Sequence, residues 1–304
     1  MPMKFWQAVA FLDTDQLLDV ARITEAAGFH GITVSDHVFY PARLTSPYPY
    51  SPDGSPIWAP STPWPDPWVL IGAMAGATAT LRFTTNIYVA PARNHLVVAK
   101  AVATAAVVSR ERVSLGLAAG WMREEFDAMG QSFADRGKRL DELVEVLRAL
   151  WRGDMQEFHG AYYDFDPVQI SPVPRGPIPI YAGGDSDAAM RRAARLDGWI
   201  GNAYQPEEAL THLDRLNRFR RAEGTAAKAG YEVMLALLSR PDVDCYRRME
   251  DAGVTALICA PWMLAPGAMD AGGAWSSAAD YRGALAAKRA AIEDFAEVVI
   301  AKMG

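Results

Sequence analysis

Residues 178–202, IPIYAGGDSDAAMRRAARLDGWIGN, carry the pattern that decides the fold. A short apolar run, Ile178–Ala182, ends at paired glycines. Asp185–Leu196 then repeats its apolar residues at helical spacing, and a second short apolar run follows at Trp199–Gly201. Strand, helix and strand in this order make a crossover unit with parallel strands.

The same alternation continues in both directions along the chain. Strands are predicted at Phe5–Phe11, Gly31–Ser35, Arg82–Val89, Val113–Leu117, Tyr231–Leu238 and Thr255–Ala260. Helices are predicted at Thr14–Ala27, Pro67–Thr78, Leu96–Ser109 and Asp135–Arg152, then at Pro206–Glu223, Asp242–Ala252 and Tyr281–Lys302. Thr14 suits an N-cap and Gly28 a helix stop, while Leu140, Leu143, Val144, Leu147 and Trp151 form one apolar stripe. Repeated strand–helix units without an obvious break predict an α/β fold of the (β/α)8 TIM-barrel type, a single domain over 1–304. Periodicity leaves an open doubly wound sheet as the other arrangement.

The bulk numbers direct attention to a small-molecule site. A net charge of -6 with both signs interspersed lacks the concentrated basic face that nucleic acid requires. No apolar run approaches the roughly 20 residues that span a bilayer, and the N-terminal MPMKFWQAVAFLDTDQ has no leader pattern. Cys245 and Cys259 are too few for a disulfide framework and have no Cys or His at metal-ligand spacing. These features predict a cytoplasmic protein with reduced cysteines and no metal.

Three connections exceed what a scaffold needs: 38–66, 153–177 and 261–280. The first and last follow strands, which in a barrel places them on the catalytic face. The first contains YPARLTSPYPYSPDGSPIWAPSTPWPDPW, dense in Pro, Tyr and Trp, and reads as an ordered cover over an apolar pocket. The middle one, with EFHGAYYDFD and PVPRGP, follows a helix and reads as an excursion packed against the barrel without a part in chemistry.

Polar residues at the C-terminal ends of barrel strands converge on one site. Asp36 and His37 follow the second strand, where a carboxylate and an imidazole can hydrogen-bond a bound ring and exchange protons, or simply order a loop. Thr85 and Asn86 place polar side chains in the apolar third strand, where they are expected to contact a cofactor, although cross-strand pairing is the ordinary use. After the fourth strand, Gly120 allows close backbone approach, and Glu124 and Glu125 follow as acidic residues at a helix start. Gly183-Gly184-Asp185 offers the best phosphate seat in the chain, although Asp185 and Asp187 would repel a phosphate they faced. No Walker A loop, nucleophile elbow, dinucleotide fingerprint or paired metal-binding histidines occur.

Taken together, AGFHGITVSDHVFYP, TTNIYVAP with NHLVVAKAVAT, VSLGLAAGWMREEFDAMG and IPIYAGGDSDAAMRRAARLDGWIGN resemble the bacterial luciferase-like monooxygenase superfamily. Within it they are similar to the branch that uses the deazaflavin coenzyme F420. The resemblance runs from about Lys4 to the last helix. It implies that Asp36 and His37 lie beside the reactive ring, with His37 near the hydride-bearing carbon. It implies a non-prolyl cis peptide at Asn86–Ile87, against which the ring packs, and it assigns Gly120 and Glu124 to the ring and its side chain. Gly183 and Gly184 correspond to the backbone that receives the cofactor phosphate, with Asp185 beside them and Asn202 at the next strand end.

One position departs from the pattern. Members resembling sugar-phosphate dehydrogenases carry a glutamate, proposed as a proton donor, where this chain has Trp121. With Tyr40, Trp64 and Trp262 also expected at the mouth, the substrate is expected to be small and apolar or aromatic. The implied function is hydride transfer between F420 and that substrate. The alternatives are an FMN-dependent monooxygenase on the same barrel and, more remotely, a cofactor-free binding protein. The resemblance also implies a homodimer.

Overall fold

The structure is a computed structural model and describes residues 2–264 and 283–303. Eight parallel strands close a barrel: β1 (Lys4–Ala8), β2 (Gly31–Val34), β3 (Arg82–Thr85), β4 (Val113–Leu117), β7 (Ile180–Gly183), β8 (Gly198–Tyr204), β9 (Glu232–Leu237) and β10 (Ala256–Cys259). Neighbours in sequence are neighbours in space, and β1 pairs with β10 from Lys4 opposite Ala256 to Gln7 opposite Cys259, which excludes the open sheet. Two strands end three or more residues earlier than the sequence predicts. β1 stops at Ala8, and β3 stops at Thr85, just before the peptide between Asn86 and Ile87, which is cis.

The helices lie outside the barrel, and most offer one apolar stripe to it. On α5 (Arg136–Leu150), Leu140, Leu143, Val144 and Leu147 are buried as their spacing predicts, each worth about 1.5–3 kcal/mol of burial. Trp151 ends the stripe, and its indole N–H donates to the Ala99 carbonyl at 3.0 Å. Inside the barrel, Trp6, Tyr181, Ile200, Met234 and Ile258 pack as a second apolar cluster below the mouth.

Two helices break the one-stripe rule. α2 (Pro67–Ala77) has no charged residue and α3 (His95–Val108) has only Lys100, so apolar residues also face outward. Val69, Val97 and Val108 are 74%, 65% and 56% exposed.

The connection at 153–177 holds a feature that periodicity missed, an antiparallel hairpin of β5 (Gln156–His159) and β6 (Asp164–Val168). It packs against the core through Phe158, Tyr162, Phe165 and Val168, as an excursion should. Glu142 of α5 holds its turn by accepting the amides of Ala161, Tyr162 and Tyr163. The connection expected at 261–280 lies outside the described residues from 265 onward, as do Tyr281 and Arg282 of the last helix. That helix is observed as α9 (Leu285–Phe295) with a π turn beyond it. Among the described residues no helix is long and apolar enough to cross a membrane.

Candidate active site

The C-terminal ends of the strands surround a cavity of about 490 Å3. Its inner wall is apolar, formed by Ala8, Ile87, Ile200, Ala236 and Ile258. The 38–66 connection covers it with Tyr48, Tyr50, Ile57, Trp58 and Trp64. The Pro- and aromatic-rich stretch is therefore an ordered roof, as its composition predicts.

His37 stands at the edge of this cavity in a tightly specified setting. Its Nδ1 lies 3.1 Å from Oε1 of Glu125, which also accepts the Val38 amide at 2.8 Å. Three indoles surround the imidazole: Trp58 and Trp64 from the roof at 5.0 and 4.8 Å between ring centroids, and Trp121 at 5.7 Å. Glu125 is only 2% exposed, so its carboxylate is committed to this pair and to Val38.

Asp36 also lines the cavity, but its oxygens are taken. The Arg93 guanidinium donates to both at 2.8 Å, and the Val89 amide donates to Oδ2 at 3.0 Å. Burial nevertheless holds this carboxyl above its ordinary range against the pull of Arg93. Its geometry is that of a brace joining the end of β2 to the segment after the cis peptide.

Of the residues expected at the cofactor, Asn86, Ile87, Gly120, Gly183, Gly184 and Asn202 line the cavity. Gly120 has φ +87, and a Cβ there would come within 2.6 Å of Val89. Gly184 has φ +101, and a Cβ on Gly183 would sit 2.8 Å from Ile87, so both turns require the missing side chain. Ser186 caps the following helix α6 (Asp187–Arg195) by accepting the Ala189 amide at 3.2 Å.

The remaining expected residues sit elsewhere. Thr85 is buried and donates to the Gly116 carbonyl at 2.6 Å, inside the barrel wall. Asp185 is outside the cavity lining and receives the Tyr204 hydroxyl at 3.5 Å. Glu124 points into the roof, where Oε1 accepts the Thr45 amide and hydroxyl, both at 2.7 Å, and the Ser46 amide at 3.2 Å. Burial works to raise this carboxyl, but the bonds from Thr45 and Ser46 outweigh it and hold the group at about 2. Trp64 and Trp121 line the cavity as expected, whereas Tyr40 and Trp262 pack behind them on the cluster centred on Phe11 and Trp58.

Sequence reading overlooked Trp58, Glu125 and Arg93. Trp58 was one aromatic residue among many in the roof. Glu125 reads in sequence as a charge at a helix start, and Arg93, the residue before the N-cap Asn94, carries no local signal.

A closed parallel barrel whose C-terminal mouth holds an aromatic cavity and a histidine–carboxylate pair has the layout of a barrel enzyme. The family model for luciferase-like monooxygenase matches residues 7–242, and the chain belongs to that family of oxidoreductases and monooxygenases. An uncharacterized protein of Mycobacterium tuberculosis is 37% identical over 267 residues, 87% of this chain and 92% of its own. An F420-dependent glucose-6-phosphate dehydrogenase of Nocardia farcinica is 33% identical, over 72% of this chain and 61% of that protein. An FMNH(2)-dependent dimethylsulfone monooxygenase of Pseudomonas fluorescens is 31% identical, over 52% and 44%. Among solved structures, monooxygenase RslO1 from Streptomyces bottropensis superposes with a TM-score of 0.76 at 17% identity, covering 99% of this chain and 100% of that one. The coenzyme F420 dependent tetrahydromethanopterin reductase from Methanopyrus kandleri gives 0.72 at 15%, each chain covered 100%. At those identities the two structures speak to the fold alone.

The residues present suit a flat heteroaromatic cofactor. The wall is apolar, the rim offers neutral hydrogen-bonding groups in Ser35, Asn86, Asn202 and Gln205, and Gly184 opens the backbone beside it. No Lys or Arg lines the cavity among the described residues, so a phosphate seated at Gly183 and Gly184 would rely on neutral donors.

Proposed function

We propose that this protein transfers a hydride between the deazaflavin coenzyme F420 and a small, neutral organic substrate of apolar or aromatic character. The observation that carries this reading is the charge make-up of the cavity. Its nearest ionisable groups are matched internally, Asp36 with Arg93 and His37 with Glu125, and among the described residues no Lys or Arg is left in the lining for an anionic substrate. A sugar phosphate would bury its charge unpaired there, at a cost of several kcal/mol. An aromatic or aliphatic substrate would instead meet Trp58, Trp64 and Trp121.

Bound F420 would supply the ring that accepts or donates the hydride. Residues of this chain do the rest. Ile87 and the apolar wall bed the ring, Gly183, Gly184 and Asn202 hold its polar extension, and the roof keeps the site dry. His37 gives or takes the proton that accompanies hydride transfer, and Asp36 braces the loop on which it stands. FMN is the second reading, supported by the relative that uses FMNH(2).

Titration of the purified protein with F420 and separately with FMN, followed by ring absorbance and fluorescence, tests this. Tight binding of F420 with little affinity for FMN is expected. Preference for FMN with oxygen consumption would replace hydride transfer by oxygen chemistry, and binding of neither would remove the site assignment. We also propose a homodimer through α2 and α3, whose outward valines are otherwise left in water. Light scattering is expected to give a dimer that V69D together with V97D dissociates; a monomeric parent protein would dismiss this interface.

A further inference from the structure

We infer that Glu125 is a positioning residue that pins the Nδ1 proton of His37, so that every proton the imidazole exchanges passes through Nε2 toward the cavity. Nothing in the proposed hydride transfer requires this residue by itself; the inference relies on that reading only for the use made of the proton.

The geometry leaves little freedom. Oε1 of Glu125 accepts the Val38 amide at 2.8 Å and lies 3.1 Å from Nδ1. A carboxylate oxygen only accepts, here from the Val38 amide and from the ring. Nδ1 must therefore be the donor, which fixes the tautomer of the neutral ring and leaves Nε2 as the nitrogen that gains or loses a proton. Around the rest of the ring stand Trp58, Trp64 and Trp121, which have N–H donors and no acceptor to compete for the Nδ1 proton. The other charges facing this corner are Asp36, from the strand end that carries His37, and Arg93, and these are bound to each other. Glu124, the preceding residue, is turned away toward Thr45 and Ser46.

The placement explains how the site can work with Trp121 where relatives of the sugar-phosphate type are expected to hold a glutamate. The carboxylate of Glu125 lies four residues further on, against Nδ1 of the histidine. In one direction Nε2 would take the proton of a substrate hydroxyl, and in the other Nε2–H would return it to the carbonyl oxygen, with F420, when bound, serving as acceptor or source of the accompanying hydride. Charge and atoms balance in both directions, and the Nδ1 proton is a spectator.

The test is a pH titration of the cofactor-free protein, with its histidine rings labelled with 15N. For His37 the Nε2 resonance is expected to move through the titration while Nδ1 keeps the shift of a protonated nitrogen. In Glu125→Ala the Nδ1 resonance is expected to move too, whereas Glu125→Gln, whose amide oxygen can still accept, is expected to retain the Nδ1 proton. Deprotonation of Nδ1 in the unmodified protein, or an unchanged Nδ1 signal in Glu125→Ala, would overturn the inference. The unmodified titration decides the matter even if the alanine variant does not fold, and none of these readings depends on which cofactor binds. In the loaded enzyme, kcat of Glu125→Ala is expected to fall by about 10²-fold or more with little change in cofactor affinity.

Discussion

At the C-terminal mouth of the barrel, the ionisable groups are buried and partnered: Arg93 with both oxygens of Asp36, and Glu125 with the His37 ring and the Val38 amide. At the opposite mouth a second cavity, of about 370 Å3, is lined by Lys4, His30, Arg82, Asp197 and Glu232. There Lys4 pairs with Glu232, and Asp197 is shared by Arg148 and Lys228, but these side chains are partly solvated, and the Arg82 guanidinium donates to the Glu111 carbonyl at a long 3.5 Å. The same strands thus begin among loose, wet charges and end among buried, matched ones. The difference follows from dielectric. A cavity that excludes water tolerates ions only in compensated sets, while a wet one tolerates them singly.

The comparison breaks most visibly if one partner is removed at each end. Arg93→Leu leaves the Asp36 carboxylate buried with only the Val89 amide, and a loss of about 3–5 kcal/mol is expected in urea unfolding near neutral pH. Because the abandoned carboxyl is pushed still higher, the folded variant takes up its proton readily. The deficit relative to the parent protein is therefore expected to shrink as pH falls and to grow as pH rises. Lys4→Met at the other mouth leaves Glu232 still bonded to the Thr255 hydroxyl, and about 1 kcal/mol or less is expected. Equal losses would mean that the two ends do not differ in solvation.

The barrel was legible because its signal is redundant: each strand–helix unit repeats the argument, so the early ends of β1 and β3 cost nothing. The hairpin of β5 and β6 was not, since QEFH and DFDPV are short, half-exposed and charged, with Glu142 supplying the turn's hydrogen bonds from another element. In the site, strand-end residues such as His37, Asn86 and Gly183 could be found because strand direction fixes where they point. Glu124 and Glu125 could not be separated, because neighbouring helical residues differ by about 100° in direction and only the packing of the roof and of His37 shows which faces which. Trp58 and Arg93 depend on long-range contacts for which the sequence has no local mark.

The smallest expected effect sharpens the picture of the wet mouth. Burial, and then the charges of Lys4 and Arg82, push the His30 imidazole down from its ordinary 6.5 to about 4, with Glu232 opposing. Between those values the unfolded chain binds a proton that the folded one does not, so His30 costs nothing above pH 6.5, and its penalty builds as pH falls to about 4. With the ring partly exposed, the full penalty is on the order of 1–2 kcal/mol after solvent screening. His30→Asn loses the edge contact with Trp6 at every pH, so the quantity to read is the change in its offset from the parent protein between pH 7 and pH 4.5 in urea midpoints. That offset is expected to move in favour of the variant on acidification. Parallel curves would show that His30 takes up its proton as freely as in water and that the lower mouth is wetter still.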